Sequence, residues 1–423
     1  MPDTVKLSDF AFINPATDTN GTAAEAPVTF IPMAAVAEGG GWRSTEHRPL
    51  SDARRGYTLF QRDDVIVAKI TPCFENGKVA LLSDLETDFG LGSTEFHVLR
   101  AKPGHDPRFI YHWTRHPGFL RAGEASMTGS AGQRRVPAGF FERFEIAKIE
   151  GTPQGLIADI LDTIDDSILE TDAVIEKLKA VGKGMAADLF CLGLDSNGEL
   201  RQPDALRDTA LGMLPLDWSV DRLDTVFGVF GGKRLPLGHT YSKEATGFRY
   251  LRVTDFFGEA SRPHELPSLE ARTFKALQRY EITDGALAVS IAGSIGRFHP
   301  FNNETDLRVI LTENAARLEP KKSINPDFYA RFLNSLPVQK QVELEIGTGG
   351  GVPKLALHRI QALKVVDVPR DEQDEISRRL GALELEIQAC RRERAKLSSL
   401  REGLRDNLLT GRKPVVAIRE AAE

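Results

Sequence analysis

A glycine-rich loop near the end of the chain is the first candidate for chemistry. It runs Gly347-Thr348-Gly349-Gly350-Gly351-Val352-Pro353-Lys354. A phosphate-binding P-loop needs a lysine directly after its last glycine, followed by serine or threonine. Here Val352 and Pro353 separate the glycines from Lys354, so nucleotide hydrolysis is not expected. Backbone amides of such a loop can still approach a DNA phosphate closely, and we expect this kind of contact here.

Two carboxylates and a lysine have the residue types of a nuclease site, namely Asp63, Asp64 and Lys69. The second half of the chain has Asp284 in the matching place but Ser290 at the lysine position, so the set is not repeated. A turn followed by a strand explains these residues better. The nine histidines show no metal-ligand spacing. The Asn/Asp-Pro-Pro-aromatic motif of amino-methyltransferases is absent, and we therefore expect neither a catalytic site nor a bound metal.

Basic and polar side chains instead gather in corresponding loops of the two halves. Arg, Gln, Ser and Thr reach base edges, whereas Lys and backbone amides suit phosphates. Any single residue of this kind is as readily a solvated surface residue, but recurrence in two copies favours DNA contact. The predicted DNA-binding residues are Lys69, Thr71, Ser130, Gln133, Arg134 and Arg135 in the first half, and Lys233, Arg234, Arg252, Ser290, Ser294, Arg297, Thr348, Gly349 and Lys354 in the second.

A helical stretch that occurs twice must position these loops. The first copy runs from Gln154 to Leu189 and the second from Gln373 to Leu408, with an offset of 219 residues at both ends. A constant offset over about ten turns indicates a duplicated helix. Apolar residues recur at spacings of three and four, as in the seam of a coiled coil. The seam residues are Ile157, Leu161, Ile164, Ile168, Ile175 and Leu178 in the first copy, and Ile376, Leu380, Leu383, Ile387, Leu397 and Leu404 in the second.

Each helix must bury its seam, and antiparallel pairing of the two helices does so without another partner. The clean seam from Ile157 to Leu178 would be roughly 33 Å long, close to one turn of duplex DNA at about 34 Å. A helical dimerisation arm joining two unrelated enzymatic lobes is the alternative explanation of this pattern.

A globular segment precedes each helix. In the first, residues 65–70 form an apolar, β-branched run typical of a buried strand. Asn76-Gly77 then predicts a hairpin. In the second segment, residues 286–293 match residues 65–72 at an offset of 221, and Val352-Pro353 matches Val136-Pro137 at 216. The sequence therefore predicts an α+β fold with an internal repeat.

Bulk composition sets only broad limits. The chain has 423 residues, 41% of them hydrophobic and 27% charged, with a formal net charge of −6. A negative total does not exclude DNA binding, because a local basic face is what contacts the phosphate backbone. We find no apolar window of about 18 residues and no secretory signal at the N-terminus. Three cysteines far apart in the sequence indicate a reducing compartment, so we expect a cytoplasmic protein without membrane contact.

Four stretches occur in a fixed order in the second half. They are Leu214-Pro215-Leu216-Asp217-Trp218, the glycine-punctuated run from Asp284 to Gly296, Val366-Asp367-Val368-Pro369, and the run from Gly403 to Arg412. Together they resemble the specificity subunits of type I restriction–modification systems. The first half departs from this pattern. It lacks the Leu-Pro-x-x-Trp opening, and its strand ends Lys69-Ile70-Thr71-Pro72 without the second glycine.

The resemblance implies a non-catalytic subunit in which two target-recognition domains each read one half of a bipartite DNA sequence. The two long helices would pair as an antiparallel coiled coil that acts as a ruler and binds two methyltransferase subunits. Those partners, and not this chain, would carry S-adenosylmethionine, and ATP-dependent restriction subunits could join them. The implied division is 1–151 and 214–369 for the recognition domains, 152–193 and 370–411 for the helices, 194–213 for a linker and 412–423 for a tail.

Two other classes stay open on the sequence. A self-contained DNA-modifying enzyme would be active as an isolated chain with its cofactor. A coiled-coil scaffold without a DNA role would show no steep loss of DNA affinity as the salt concentration rises.

Overall fold

Two compact units make up the chain. The computed structural model describes residues 3–44, 46–130, 132–256, 263–346 and 353–415. The first unit comprises Met1–Val174 and Cys390–Glu423, and the second comprises Ile175–Ala389. Each unit therefore contains one globular domain together with about half of each long helix.

Within its described residues, the first unit holds ten strands and four short α-helices before the first long helix. In chain order they are β1 (Thr4–Lys6), α1 (Leu7–Phe10), β2 (Ala11–Ile13), β3 (Pro27–Ile31), β4 (His47–Pro49), β5 (Thr58–Gln61), β6 (Val65–Ala68), β7 (Val79–Leu81), β8 (Phe89–Gly92), β9 (Phe96–Ala101), α2 (Pro107–Thr114), α3 (Pro117–Ala125), α4 (Ala138–Arg143), β10 (Glu145–Ala147) and α5 (Thr152–Leu192).

Two four-stranded sheets form the first globular domain. One is antiparallel throughout, in the order β2-β9-β6-β7, and the other has the order β4-β3-β8-β5 with β3 and β8 parallel. All four residues of β6 are buried, as expected of a continuous apolar strand that is covered on both faces. Phe109, Ile110, Trp113 and Phe119 of α2 and α3 are buried. The Asn76-Gly77 turn is present but closes a ten-residue connection between β6 and β7, not a two-residue hairpin.

The second unit repeats this plan after a short hairpin. Its elements are β11 (Leu206–Thr209), β12 (Gly212–Pro215), β13 (Ser219–Arg222), α6 (Leu223–Val226), β14 (Phe227–Gly231), β15 (Phe248–Leu251), α7 (Ala271–Leu277), β16 (Glu281–Ile282), β17 (Leu287–Ser290), β18 (Phe298–Pro300), β19 (Arg308–Leu311), β20 (Ala315–Pro320), α8 (Pro326–Leu333), α9 (Leu336–Glu345), α10 (Leu357–Ala362), β21 (Lys364–Asp367) and α11 (Arg370–Leu409). The hairpin β11–β12 lies mostly within residues 194–213, where the sequence predicted a linker.

Strand pairing fixes the correspondence between the two domains. The order β14-β20-β17-β18 repeats β2-β9-β6-β7. Val65 pairs with Leu99 in the first unit and Leu287 pairs with Leu318 in the second. Leu287 therefore takes the place of Val65 at an offset of 222, and the offset of 221 predicted for this strand was wrong by one residue. Because side chains alternate between the faces of a strand, this one-residue slip assigns each side chain to the opposite face.

The segment before α10 also lies in a different register from the one predicted. The amide of Val136 donates to the carbonyl of Lys69 (2.8 Å), and the amide of Leu355 donates to the carbonyl of Ile291 (3.0 Å). Leu355 therefore corresponds to Val136 at an offset of 219, not Val352 at 216. By the same register Lys354 corresponds to Arg135, and Ile291 corresponds to Lys69.

The long helices run antiparallel within each unit. In the first unit, Arg394 of α11 pairs with Asp172 of α5, and Arg401, seven residues later, pairs with Asp165, seven residues earlier. In the second unit, Leu383 lies against Gly182, and the side chain of Glu372 accepts a hydrogen bond from the amide of Leu194 (2.7 Å). The predicted α+β fold with an internal repeat and antiparallel long helices is confirmed.

The predicted seam residues differ in burial along the helices. Seven are buried and five are half-buried. The buried ones are Ile157, Leu161, Ile164, Ile168, Ile175, Ile376 and Leu380, and the half-buried ones are Leu178, Leu383, Ile387, Leu397 and Leu404. The buried positions lie mainly near the start of each helix, where the helix also packs on its own globular domain.

A buried glutamine attaches the start of each long helix to its domain. Gln154 accepts a hydrogen bond from the amide of Asp106 (2.9 Å) and donates to the carbonyl of Ile149 (2.6 Å). Gln373 accepts from the amide of Asn325 and donates to the carbonyl of Val368, both at 2.7 Å. The repeat thus extends to hydrogen bonds that fix the helix to the fold.

Candidate nucleic-acid interface

The predicted polar residues of the first unit converge at the end of β6. Backbone hydrogen bonds join the two segments, from the amide of Thr71 to the carbonyl of Arg134 (3.0 Å) and from the amide of Val136 to the carbonyl of Lys69 (2.8 Å). The second segment also closes on itself, because Thr128 and Arg135 exchange two backbone hydrogen bonds. We call Lys69, Thr71, residues 128–130 and residues 132–135 the first loop cluster. Ser130 and Gln133 are exposed at its tip.

Both arginines of the first loop cluster pair with glutamates. Arg135 donates from Nε and Nη2 to the carboxylate of Glu95, at 2.8 Å for the shortest contact. The hydrogen bond from Arg135 holds the pKa of Glu95 below its ordinary value. Arg134 lies 3.7 Å from Glu75. The hydroxyl of Thr71 also donates to Glu75, at 2.8 Å, so this residue is not a free donor.

A buried histidine contacts the backbone directly after the first loop cluster. His97 on β9 is 7% exposed, and its Nε2 lies 2.9 Å from the carbonyl of Val136. Nδ1 lies 3.0 Å from the side-chain amide of Asn14. A carbonyl can only accept, so Nε2 carries the proton and Nδ1 accepts from the amide. Burial lowers the pKa of His97, and the imidazole is therefore neutral at physiological pH.

The predicted polar residues of the second unit gather around the turn between β19 and β20. The amides of Lys233 and Gly232 donate to the carbonyls of Leu311 and Ala315, both at 2.9 Å. The amide of Thr312 donates to the carbonyl of Leu251, the residue before Arg252 (3.0 Å). The amide of Ile291 donates to the carbonyl of Asn314 (2.8 Å). We call Lys233, Arg234, Arg252, Ser294, Arg297 and Lys354 the second loop cluster, because the segments that carry them join here.

Acidic residues also accompany the second loop cluster. Arg234 lies 3.5 Å from Glu313, and Arg252 lies 2.7 Å from Asp255. Tyr250 donates from its hydroxyl to the carbonyl of Lys233 (2.8 Å), and burial raises its pKa to about 12. In contrast, no hydrogen bond or ion pair within the described residues reaches the exposed side chain of Lys354.

One predicted contact residue is buried, and two others cannot be placed. Ser290 is fully buried. Its hydroxyl accepts from the amide of Arg297 (3.1 Å) and donates to the carbonyl of Ser294. The expectation of a surface position was wrong because Ser290 corresponds to the buried Ala68, not to Lys69. Ser294 and Arg297 are exposed. Thr348 and Gly349 lie outside the described residues.

The glutamates Glu75, Glu95 and Glu313 are the residues that sequence reasoning missed. The predicted contact residues are cations and hydrogen-bond donors, and Glu95 lies 40 residues before the arginine that it binds. No sequence pattern marked them. Glu95 directly precedes β9, and Glu313 lies in the turn between β19 and β20.

The carboxylates considered for nuclease chemistry have a structural role. Asp64 is fully buried and pairs with Arg100 at 2.8 Å. Asp63 adopts a positive φ of 64° in the turn before β6. Within the described part of the chain, no group of three or more His, Cys, Asp or Glu side chains could hold a metal ion. The same part of the chain contains no candidate for a membrane-spanning helix.

In each unit, exposed and paired basic groups therefore lie on loops beside one end of a rigid sheet. Such an arrangement can bind phosphates through lysines and orient arginine and amide groups toward base edges.

Comparisons with known proteins agree with this geometry. A sequence model described as the type I restriction modification DNA specificity domain matches residues 215–398. The EcoAI type I specificity subunit of Escherichia coli is 24% identical over 468 aligned residues, covering 91% of this chain and 77% of that protein. The EcoEI specificity subunit of the same species is 37% identical over 155 residues, which cover 36% of this chain and 26% of that protein.

Solved structures show the same fold. The S subunit of the type I system of M. genitalium superimposes with a TM-score of 0.57 at 16% identity, covering 96% of both chains. A structure described as the basis of complex assembly and conformational transition of the type I system has a TM-score of 0.56 at 18% identity and covers 97% of both chains. Sequence, fold and loop geometry agree: residues 215–398 match the type I restriction modification DNA specificity domain, and the chain shares the fold of type I S subunits.

Proposed function

We propose that this chain supplies the DNA sequence specificity of a type I restriction–modification enzyme, with each globular domain reading one half of a bipartite target. The observation that supports this most directly is the pair of loop clusters. The clusters share an equivalent segment in two copies of one fold, in which Lys354 corresponds to Arg135, yet they differ in their residues. Two similar scaffolds with different loops suit the recognition of two different short sequences.

The remaining parts of the enzyme come from partners. Two methyltransferase subunits bind the paired helices and carry S-adenosylmethionine, and the chain itself catalyses no reaction. The helices set the spacing between the two recognised blocks. ATP-dependent restriction subunits join the same assembly.

Mapping of adenine methylation tests this function. The chain is co-expressed with the methyltransferase subunits of its system in a host that lacks other adenine methylation. We expect methylation at a split motif, with two short specified blocks around an unspecified spacer. Methylation that does not depend on this chain would contradict the proposal.

Exchange of residues 214–369 for the corresponding domain of a relative tests the assignment of one block to each domain. We expect one block to change while the other is retained. A simultaneous change of both blocks would show that the domains do not read independently.

A further inference from the structure

Arg135 is held at both its backbone and its side chain. Its amide donates to the carbonyl of Thr128 at 2.9 Å. Its Nε lies 3.0 and 3.2 Å from the two carboxylate oxygens of Glu95, and Nη2 lies 2.8 Å from one of them. Nη1 donates to the carbonyl of Gln133 (3.1 Å). The guanidinium plane therefore has a fixed direction before any ligand arrives.

Within the described residues, two N–H donors of Arg135 have no hydrogen-bond partner. A guanidinium group has five N–H donors. The bonds to Glu95 and Gln133 use one N–H on each of the three nitrogens. One N–H remains on Nη1 and one on Nη2. Two donors on one planar group match the O6 and N7 acceptors that guanine presents in the major groove.

The ion pair with Glu95 favours a base over a phosphate as the ligand. A carboxylate beside the guanidinium cancels most of the charge that would attract a phosphate, whereas the directions of the remaining N–H groups are kept. The side chain of Arg135 is 43% exposed and that of Glu95 is 23% exposed. The arginine can thus be reached from solvent while its partner supports it from within.

The second unit lacks this arrangement at the corresponding place. Lys354 takes the position of Arg135, and Asn314 takes that of Glu95, because its carbonyl accepts from Ile291 as the carbonyl of Glu95 accepts from Lys69. A lysine ammonium is a point charge without a planar pair of donors. The two domains therefore differ in chemistry at equivalent positions.

We propose that Glu95 determines specificity in the first domain by positioning Arg135 to read a guanine in the DNA block bound by that domain. Arg135 contacts the base, and Glu95 acts through Arg135 as a positioning residue. This inference rests on the proposed function, in which each domain reads its own block.

The test compares methylation motifs of the assembled methyltransferase containing wild-type chain, Glu95→Gln or Arg135→Lys. Glu95→Gln keeps the shape of the side chain but removes its charge. Arg135→Lys keeps the positive charge but removes the planar pair of N–H donors. Both variants should reduce discrimination at one G·C position of one block by about tenfold, while the other block keeps its sequence.

A matched control is Glu281→Gln, which disrupts a similar fork-type pair with Arg308 (2.8 and 2.6 Å) outside the loop clusters. This control should leave both blocks unchanged. Gel filtration of each complex monitors assembly, and Arg135→Lys leaves every buried group in place, so at least one informative variant is expected to assemble.

Three outcomes would overturn the inference. An unchanged motif in both variants would show that Arg135 does not read a base. A uniform loss of methylation with unchanged base preference would indicate phosphate contact instead. Relaxation at an A·T position would exclude guanine as the ligand. If the wild-type enzyme itself shows no split motif, the proposed function fails, and the inference fails with it.

Discussion

Lys354 is well placed for a pure phosphate contact. It is exposed, it stands on the second loop cluster, and no side-chain partner in the described residues neutralises it. Each phosphate contact contributes about 0.9 to the slope of log affinity against log salt. We expect Lys354→Gln to reduce that slope by about this amount and to weaken all DNA sequences equally. Fluorescence anisotropy of the assembled enzyme across a salt series measures both effects.

Lys148→Gln is the control for this prediction, because Lys148 pairs with Glu150 between β10 and α5, outside the loop clusters. The slope of log affinity against log salt for Lys148→Gln should equal that of the wild type. A wild-type slope for Lys354→Gln as well would remove this lysine from the phosphate contacts.

His97 makes the first domain sensitive to acid. Its folded pKa is lowered by burial from an ordinary value of 6.5, so the unfolded chain binds the proton more readily. The contribution of neutral His97 to stability is complete above about pH 6.5 and is lost as the pH falls through that value toward the lower folded pKa. Urea unfolding of the chain between pH 8 and pH 5 should therefore show a declining free energy of unfolding.

A His97→Gln variant separates this residue from other acid-sensitive groups. Glutamine can still donate to the carbonyl of Val136 but does not titrate. Its free energy of unfolding should decline less steeply over the same pH range. An equal decline of the free energy of unfolding with falling pH in both proteins would show that groups other than His97 cause the acid sensitivity.

At the scale of the elements, the stability of α5 in the first unit depends on the carboxylate of Asp165. Asp165 pairs with Arg115 at 2.5 Å and with Arg401 at 3.2 Å. Burial alone would raise the pKa of Asp165, but Arg115 holds it below the ordinary value. Arg405 nearby is buried, and burial together with Arg115 and Arg401 lowers its pKa to about 10. Asp165 therefore compensates a group of positive charges, of which Arg405 is buried and Arg115 and Arg401 are half-buried.

Asp165→Asn should destabilise the first unit by about 3 kcal/mol, because it leaves two half-buried arginines and the buried Arg405 nearby without this counter-ion. Asp172→Asn is the matched control on the same helix, since Asp172 pairs with Arg394 at an exposed site and should cost less than about 1 kcal/mol. Urea unfolding of both variants measures the difference. Equal effects would show that burial does not set the strength of these pairs.

An element could be predicted well when a long stretch of sequence fixes its register, and poorly when only a few residues do. The offset of 219 between the long helices was predictable because it recurs from Gln154 to Leu189 and from Gln373 to Leu408. The short apolar strands β6 and β17 carry no side-chain landmark, so alignment by residue type was one position wrong and placed Ser290 on the surface. Only the hydrogen-bonded ladder with the neighbouring strand determines that register.

The candidate site was predictable only in part for a similar reason. Arg134, Arg135 and Lys354 stand in loops that sequence marks by small residues and by an adjacent helix start. The pairing of Arg135 with Glu95 joins segments that are distant in the sequence, and no local pattern reports such a contact. Chain topology, and not residue type, decides which carboxylate supports which arginine.

At the scale of the whole molecule, the end of α11 belongs to the first unit. Leu408, Leu409 and Val415 are buried in one cluster with Leu7, Phe10, Ile157 and Leu161. Full burial of an aliphatic side chain contributes about 1.5–3 kcal/mol, and whole domains are stable by only about 5–15 kcal/mol. A chain that ends after Ala389 should therefore lose the stable fold of its first unit while its second unit stays folded.

Limited proteolysis with mass spectrometry tests this prediction. The truncated chain should yield a resistant fragment from within residues 175–389, whereas residues 3–174 are digested. A chain that ends after Gly411 retains Leu408 and Leu409 and should protect both units. A resistant first unit in the shorter chain would contradict the prediction.

The split composition of the first unit also has a consequence for synthesis on the ribosome. The second unit is continuous in sequence, from Ile175 to Ala389, and can fold as soon as that stretch has emerged. The first unit is made earlier, but it must wait for Leu408 and Leu409 to cover the apolar side of α5. Folding along this chain therefore reverses the usual N-terminal-first order. An interrupted translation product would carry a mature second domain and an unfinished first one, so only synthesis through α11 yields a subunit with both domains intact.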